Sequence, residues 1–237
     1  MKSGLFALCK AAMLVWVFGA CQAMAGVVIT GTRVIYPAAD KEVSVKVNNK
    51  GSAPALLQAW VDNGNADASP ETIRVPFVIN PPMNRVDAGK GQTLRLSYTG
   101  STSLPSDKES VFWLNVLEVP PVDATKAGTN KLQLAFRSRI KLFYRPAGLK
   151  GDSAQAAESL KWEVSGGKLT AVNSSPYYVS LLGVRDRSGS AKGEADMVAP
   201  FGRVAVTGAK ASFRVGQAIE YQYINDWGAI RKVNTSI

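Results

Sequence analysis

The 237-residue chain has no histidine and only two cysteines, Cys9 and Cys21. Without histidine there is no Ser-His or Cys-His nucleophile, no imidazole acid-base catalyst and no His-based metal site. Both cysteines fall within residues 1–25, so a chain that loses this segment has neither a thiol nor a disulfide. Acidic residues number 18 against 28 basic ones, a formal net charge of +10, and they stand singly with none of the grouping of a calcium loop. A phosphate-binding P-loop and a GxGxxG turn opening a helix are also missing. The basic excess is spread thinly, which marks a solvated surface with a few placed cations and not a nucleic-acid-binding arm. Paired carboxylates, a Ser-Lys pair or cofactor chemistry remain for catalysis; a carbohydrate-active enzyme could use a pair such as Glu109 and Glu118, but the two belong to no motif. No enzymatic activity, small-molecule substrate or nucleic-acid partner is expected.

What the chain does contain begins with an export signal. Lys2 precedes an apolar core from Ala11 to Ala20, too short for the ~20 residues of a membrane span, and small residues at Ala23 and Ala25 mark a cleavage site. The mature chain then starts at Gly26. Export would permit disulfides, so a mature chain without cysteine must hold together by packing alone.

Runs of β-type residues follow at the spacing of a sandwich, separated by Gly, Pro, Asn and Asp clusters. They cover Val27 to Ile35, Val43 to Asn48, Ala55 to Val61, Arg74 to Ile79, Gln92 to Tyr98, Val111 to Val119 and Leu132 to Tyr144. This pattern predicts an all-β immunoglobulin-like domain over 26–146, with Trp60 and Trp113 filling its core. The segment Lys150 to Ser159 has almost nothing to bury and is expected to be a loop. Shorter strands at Leu160 to Val164, Lys168 to Asn173, Tyr177 to Val184, Gly202 to Val206, Ala218 to Ile224 and Ile230 to Asn234 predict a smaller β domain over 147–237.

The last strand of the first domain is the most telling. Leu132, Leu134, Phe136, Ile140, Leu142 and Tyr144 recur at even spacing, the period of a strand. From Leu132 to Tyr144 the strand would run ~43 Å at ~3.3 Å per residue, about twice a usual sandwich strand. Part of it should overrun its own core. An apolar strand beyond a sheet edge invites aggregation unless another chain pairs with it, and strand addition is a known mode of peptide binding.

The run from Leu104 to Pro120 (LPSDKESVFWLNVLEVP) resembles the signature of the periplasmic pilus chaperones of the chaperone-usher pathway. Further matches are Thr32 to Pro37 (TRVIYP), Ile140 to Pro146 (IKLFYRP), Ser175 to Val179 (SPYYV) and Tyr223 to Gly228 (YINDWG). The resemblance implies two immunoglobulin-like domains in a boomerang with a cleft between them, working in the periplasm without cofactor or metal. It implies one-to-one complexes with pilus subunits that lack a final strand, which the chaperone supplies by donor-strand complementation before delivery to an outer-membrane usher. Leu132, Leu134 and Phe136 match the donated side chains, with Ile140 in the same ladder nearer the cleft. Arg33 and Lys141 match paired cleft cations that hold the subunit's terminal carboxylate. Glu109, Arg145 and Asp226 match charges that join the domains. The short connection Pro120 to Lys131 resembles that of members assembling rigid rods. Self-association of the unliganded chaperone through its exposed strand is a further expectation. The alternative, an exported pilus subunit or adhesin, fits less well, because the ladder lies in the middle of the chain and a complete second domain follows it. N-terminal sequencing of the exported protein should begin at Gly26; a lipid-bearing Cys21 at the start would contradict the reading.

Overall fold

Side chains that alternate in and out along the strands build two facing sheets in the first domain. The computed structural model describes residues 26–121, 134–208 and 212–237; the export segment, Leu132 and most of the Pro120–Lys131 connection lie outside them. The strands are β1 (Val27–Ile29), β2 (Arg33–Pro37), β3 (Val43–Asn49), β4 (Ala55–Asp62), β5 (Phe77–Asn80), β6 (Met83–Val86), β7 (Gly91–Tyr98), β8 (Ser110–Val119) and β9 (Phe136–Arg145). One sheet runs β1-β3-β7-β5 and the other β2-β9-β8-β4-β6. Leu57, Ala59 and Val61 of β4 and Phe112, Leu114 and Val116 of β8 meet Val45, Val47, Leu94 and Leu96 of the facing sheet in one buried cluster. Aromatic rings close one end of it, with Phe77 4.9 Å from Phe112 and Tyr98 4.7 Å from Tyr144 between centroids.

Three expectations are corrected. Trp60 and Trp113 are half-buried and outside the core, because the inward positions of β4 are 57, 59 and 61 and those of β8 are 112, 114 and 116. Period two sends both indoles to the other face. The run Val27 to Ile35 is not one strand: Gly31, at φ 98°, breaks it, and β1 pairs with β3 while β2 crosses to the other sheet and pairs in parallel with β9. Residues 150–159 are not all loop, since Ser153–Glu158 forms α1. Asp152 caps it by accepting from the Gln155 amide at 2.8 Å, and Ala156 and Ala157 are buried. Small side chains let the helix lie close to the domain, where the Ala157 carbonyl accepts from the Tyr221 hydroxyl at 2.7 Å.

The second domain has a sheet of β10 (Lys161–Ser165), β11 (Lys168–Val172) and β15 (Arg203–Ala205). Facing it are β12 (Val179–Asp186), β13 (Lys192–Gly193), β14 (Met197–Val198), β16 (Ala218–Ile224) and β17 (Ile230–Ser236). Its separate core includes Trp162, Leu169, Val179, Leu181, Phe213 and Tyr221.

The two domains meet at Arg145, the last residue of β9. Its Nε donates to Glu109 Oε1 at 2.6 Å, and Nη1 and Nη2 donate to Asp226 Oδ2 and Oδ1 at 2.7 and 3.1 Å. The other Glu109 oxygen accepts from the Tyr178 amide at 2.7 Å, and Ser153 Oγ donates to Asp226 at 2.8 Å. Glu109 is buried, and burial pushes its carboxyl up against the pull of Arg145. Burial also opposes ionisation of Asp226, but the bonds from Arg145 and Ser153 outweigh it and hold that carboxyl below its ordinary value. Arg145→Ala would leave Glu109 buried without its cation, at a cost of about 3–5 kcal/mol. Chemical denaturation of this variant should show the domains unfolding in separate transitions. A depressed carboxyl contributes stability that is present above its unfolded-state pKa of about 4 and is lost as pH falls through the lower folded value. Stability of Asp226→Asn measured by urea unfolding should therefore fall less steeply below pH ~4 than that of the parent chain.

Candidate functional site

Strand β9 is held unequally on its two edges. Antiparallel β8 pairs with it from Phe136 (opposite Glu118) to Tyr144 (opposite Ser110), whereas parallel β2 reaches only Lys141 to Arg145. The edge from Phe136 to Ile140 away from β8 thus has no neighbouring strand among the described residues. At the start of this open half Phe136 is 64% exposed, and Leu134, two residues before the strand begins, is 54% exposed. Phe136 shares a face with Leu142, which is fully buried, so the face that fills the core at one end overhangs it at the other. Leu132 lies outside the described residues. Ile140 belongs to this face but is half-buried against the domain's own core, which sets it apart from the two exposed members.

The opposite face of β9 carries Arg137, Arg139, Lys141 and Arg145. Arg137 donates to the Ala66 carbonyl at 2.7 Å, Arg139 to Asp62 at 2.6 Å and Arg145 to the joint. Among the described residues Lys141 is paired with Asp196 alone, at 3.8 Å, and that carboxylate is 89% exposed. Directly across the parallel register lies Arg33. Its Nη1 donates to the Ile224 carbonyl at 2.9 Å and to Ser180 Oγ at 3.3 Å, reaching into the second domain, while its buried Nε has no hydrogen-bond partner among the described residues. Burial lowers the pKa of both cations, opposed by Asp226 at Arg33 and by Asp196 at Lys141, and the charge of Arg33 depresses Lys141 further. Two adjacent, partly desolvated cations form a site that an incoming anion would relieve. Part of the Arg33 fork is already committed, so Lys141 is the more available of the two.

Glu109 and Glu118 cannot act together on a glycosidic bond. They flank or end a ten-residue strand and stand about 30 Å apart at ~3.3 Å per residue, far beyond the ~5–10 Å such chemistry requires, and Glu118 instead accepts from the Val27 amide at 2.8 Å. The sequence reading passed over Asp62, Asn115 and Arg139 and placed Trp113 in the core; all four gather on the outer face beside the open half of β9. Arg139 alternates with Lys141 in the sequence; nothing local marks Asp62 as its partner.

Two family models match the chain in order: "Pili and flagellar-assembly chaperone, PapD N-terminal domain" over 26–150 and "Pili assembly chaperone PapD, C-terminal domain" over 155–235. The Bordetella pertussis chaperone protein FimB/FhaD is 47% identical over 225 residues, covering 91% of this chain and 89% of the relative. The probable fimbrial chaperone YadV of Escherichia coli is 46% identical over 225 residues, covering 91% and 92%. The crystal structure of the YadV chaperone superposes with a TM-score of 0.76 at 43% identity, over 90% of this chain and all of that one. A chain of the Salmonella enterica SafA pilin–SafB chaperone complex gives the same TM-score of 0.76 at 27% identity, covering 92% of this chain and 99% of that one. Matches to both halves, over relatives spanned almost end to end, do not favour a pilus subunit. The chain belongs to the family of pilus-assembly chaperones.

Proposed function

We propose that this chaperone works in the periplasm, holding strand-deficient pilus subunits one to one by lending them the open half of β9 and passing them to an outer-membrane usher. The observation that carries the reading is the pairing deficit of β9: a backbone edge without a neighbouring strand among the described residues over Phe136 to Ile140, beside the exposed side chains of Leu134 and Phe136. A client strand meeting that edge gains main-chain hydrogen bonds, and the alternate apolar side chains enter its groove. Lys141 and Arg33 then receive the client's terminal carboxylate, Lys141 as a point charge and Arg33 through what its fork has left. Fixing that end sets the register, since a one-residue slip would turn every side chain to the wrong face. Assigning clients of a rigid-rod type rests on the short Pro120–Lys131 connection alone. The function needs no catalytic step and no cofactor.

Lys141→Ala should leave the free protein folded and lose subunit protection, because a carboxylate left unpaired in a partly dry cleft costs about 2–5 kcal/mol. Lys141→Arg should be partly tolerated, and Arg33→Ala should also loosen the contact with Ile224. Subunit levels in cells measure this; unchanged levels in the Lys141→Ala strain contradict the anchoring role.

Leu134→Glu separates a donated strand from a core strand. On an exposed ladder the substitution should shift the free protein's melting temperature little, abolish pilin pull-down and reduce self-association on size exclusion. Ala135→Glu, on the other face, should spare binding. A large loss of thermal stability in free Leu134→Glu would instead mean that the ladder is core.

A further inference from the structure

We propose that Asp62 and Arg139 form a clamp that positions the open half of β9 for strand donation; the proposal rests on the reading of β9 as the donated strand. Arg139 lies within that half, on the face opposite Leu134 and Phe136. Its Nε donates to Asp62 Oδ2 at 2.9 Å and its Nη2 to Asp62 Oδ1 at 2.6 Å, a two-point grip that fixes direction as well as distance. The guanidinium carbon stands 4.6 Å from the centroid of the Trp113 ring, close enough for a cation–π contact. Asn115 Nδ2 and the Gly64 amide each donate to Asp62 at 2.7 Å, so the carboxylate, 2% exposed, accepts four bonds. Burial would raise the Asp62 pKa, but these donors outweigh it and hold the group ionised.

The registers show what this grip spans. Asp62 of β4 is paired with Trp113 of β8, which is paired with Lys141; Asn115 is paired with Arg139. Arg139 therefore reaches diagonally over β8 to β4 and ties three strands together on their outer surface. Arg137 adds a second tie, to the Ala66 carbonyl at 2.7 Å in the segment that follows β4.

The position of the clamp along the strand gives it a purpose beyond stability. From Lys141 onward β9 is fixed by β2, by β8 and by the core. From Phe136 to Ile140 its backbone has β8 alone among the described strands, and Leu134 and Phe136 are exposed and outside the described core. Strands held on one edge fray readily. Orientation of the ladder in this half is then set from the outer face, where the only bidentate ion pair among the described residues on that half is Asp62–Arg139. A buried ion pair is a weak source of net stability, since apolar residues of like volume do as well; directional placement of a strand is what apolar residues would not provide.

The test is amide hydrogen exchange on the full-length exported protein carrying Asp62→Asn, Arg139→Gln or Arg139→Lys, together with the rate of capture of a purified pilin that lacks its final strand. Asp62→Asn and Arg139→Gln should speed exchange in 136–140 about tenfold, leave 142–145 unchanged and slow capture by a similar factor. Arg139→Lys, which keeps the charge and loses the fork, should lie between. Exchange that stays at the parent rate in 136–140, or that rises evenly through both sheets, overturns the proposal. If Asp62→Asn does not fold, Arg139→Lys decides by the same readout. Leu134→Glu runs alongside: normal capture by that variant defeats strand donation itself. Lost capture by Leu134→Glu beside parent-rate capture by Arg139→Gln overturns the clamp alone.

Discussion

The pairing of β9 governs the rest of the molecule. A backbone in extended form must place its amides and carbonyls somewhere, and β9 has two neighbours over its second half and one over its first. The strand that completes the chaperone's own sandwich is thus continuous with a stretch that completes nothing within the chain. Exposed Leu134 and Phe136 would be a liability on an ordinary edge strand. In the function proposed above the same stretch is the working surface, and the second domain is joined at the far end of β9 through Arg145.

Charge is distributed along β9 to match this division of labour. Arg145 is neutralised by Glu109 and Asp226 at the joint, and Arg139 by Asp62 beside the open half. Lys141 lies between them with one distant and exposed partner, next to an Arg33 whose Nε is unsatisfied. Arg139 and Arg145, on either side of Lys141, are thus committed to close carboxylates, and Lys141 is the least closely paired of the three among the described residues. The reverse face of β9 carries apolar Phe136, Ile140 and Leu142, so charge and apolar surface occupy opposite sides of one β-strand.

Much of this was legible in the sequence, and the losses have physical causes. The even spacing of Phe136, Leu142 and Tyr144 announced a strand, because side-chain alternation is a local property, but the expected length from Leu132 was too great: β9 begins at Phe136 and has ten residues, as many as β8. Exposure is not local: the same spacing gave no sign that Ile140 falls on the covered side of the boundary. The break at Gly31 was hidden in a run of uniformly β-forming residues, and the exchange of sheets that follows depends on β3 and β9, far along the chain. Helix α1 escaped because its alanines carry no amphipathic period, only the cap at Asp152. Trp60 and Trp113 were misplaced by treating bulk as burial, when the phase of the alternation decides. The Asp62–Arg139 pair, 77 positions apart, had no sequence signal, while Arg145 and Asp226, 81 apart, were reached only through family resemblance.

The central claim is that the open half of β9 enters a client with one face forward. A photoreactive phenylalanine analogue placed singly at positions 134, 135, 136 and 137, with irradiation of the co-purified pilin complex, reads that orientation directly. Strong cross-links to the pilin from 134 and 136 and weak ones from 135 and 137 are the expected result. Cross-linking that favours 135 and 137, or that links none of the four to the pilin, would contradict the account.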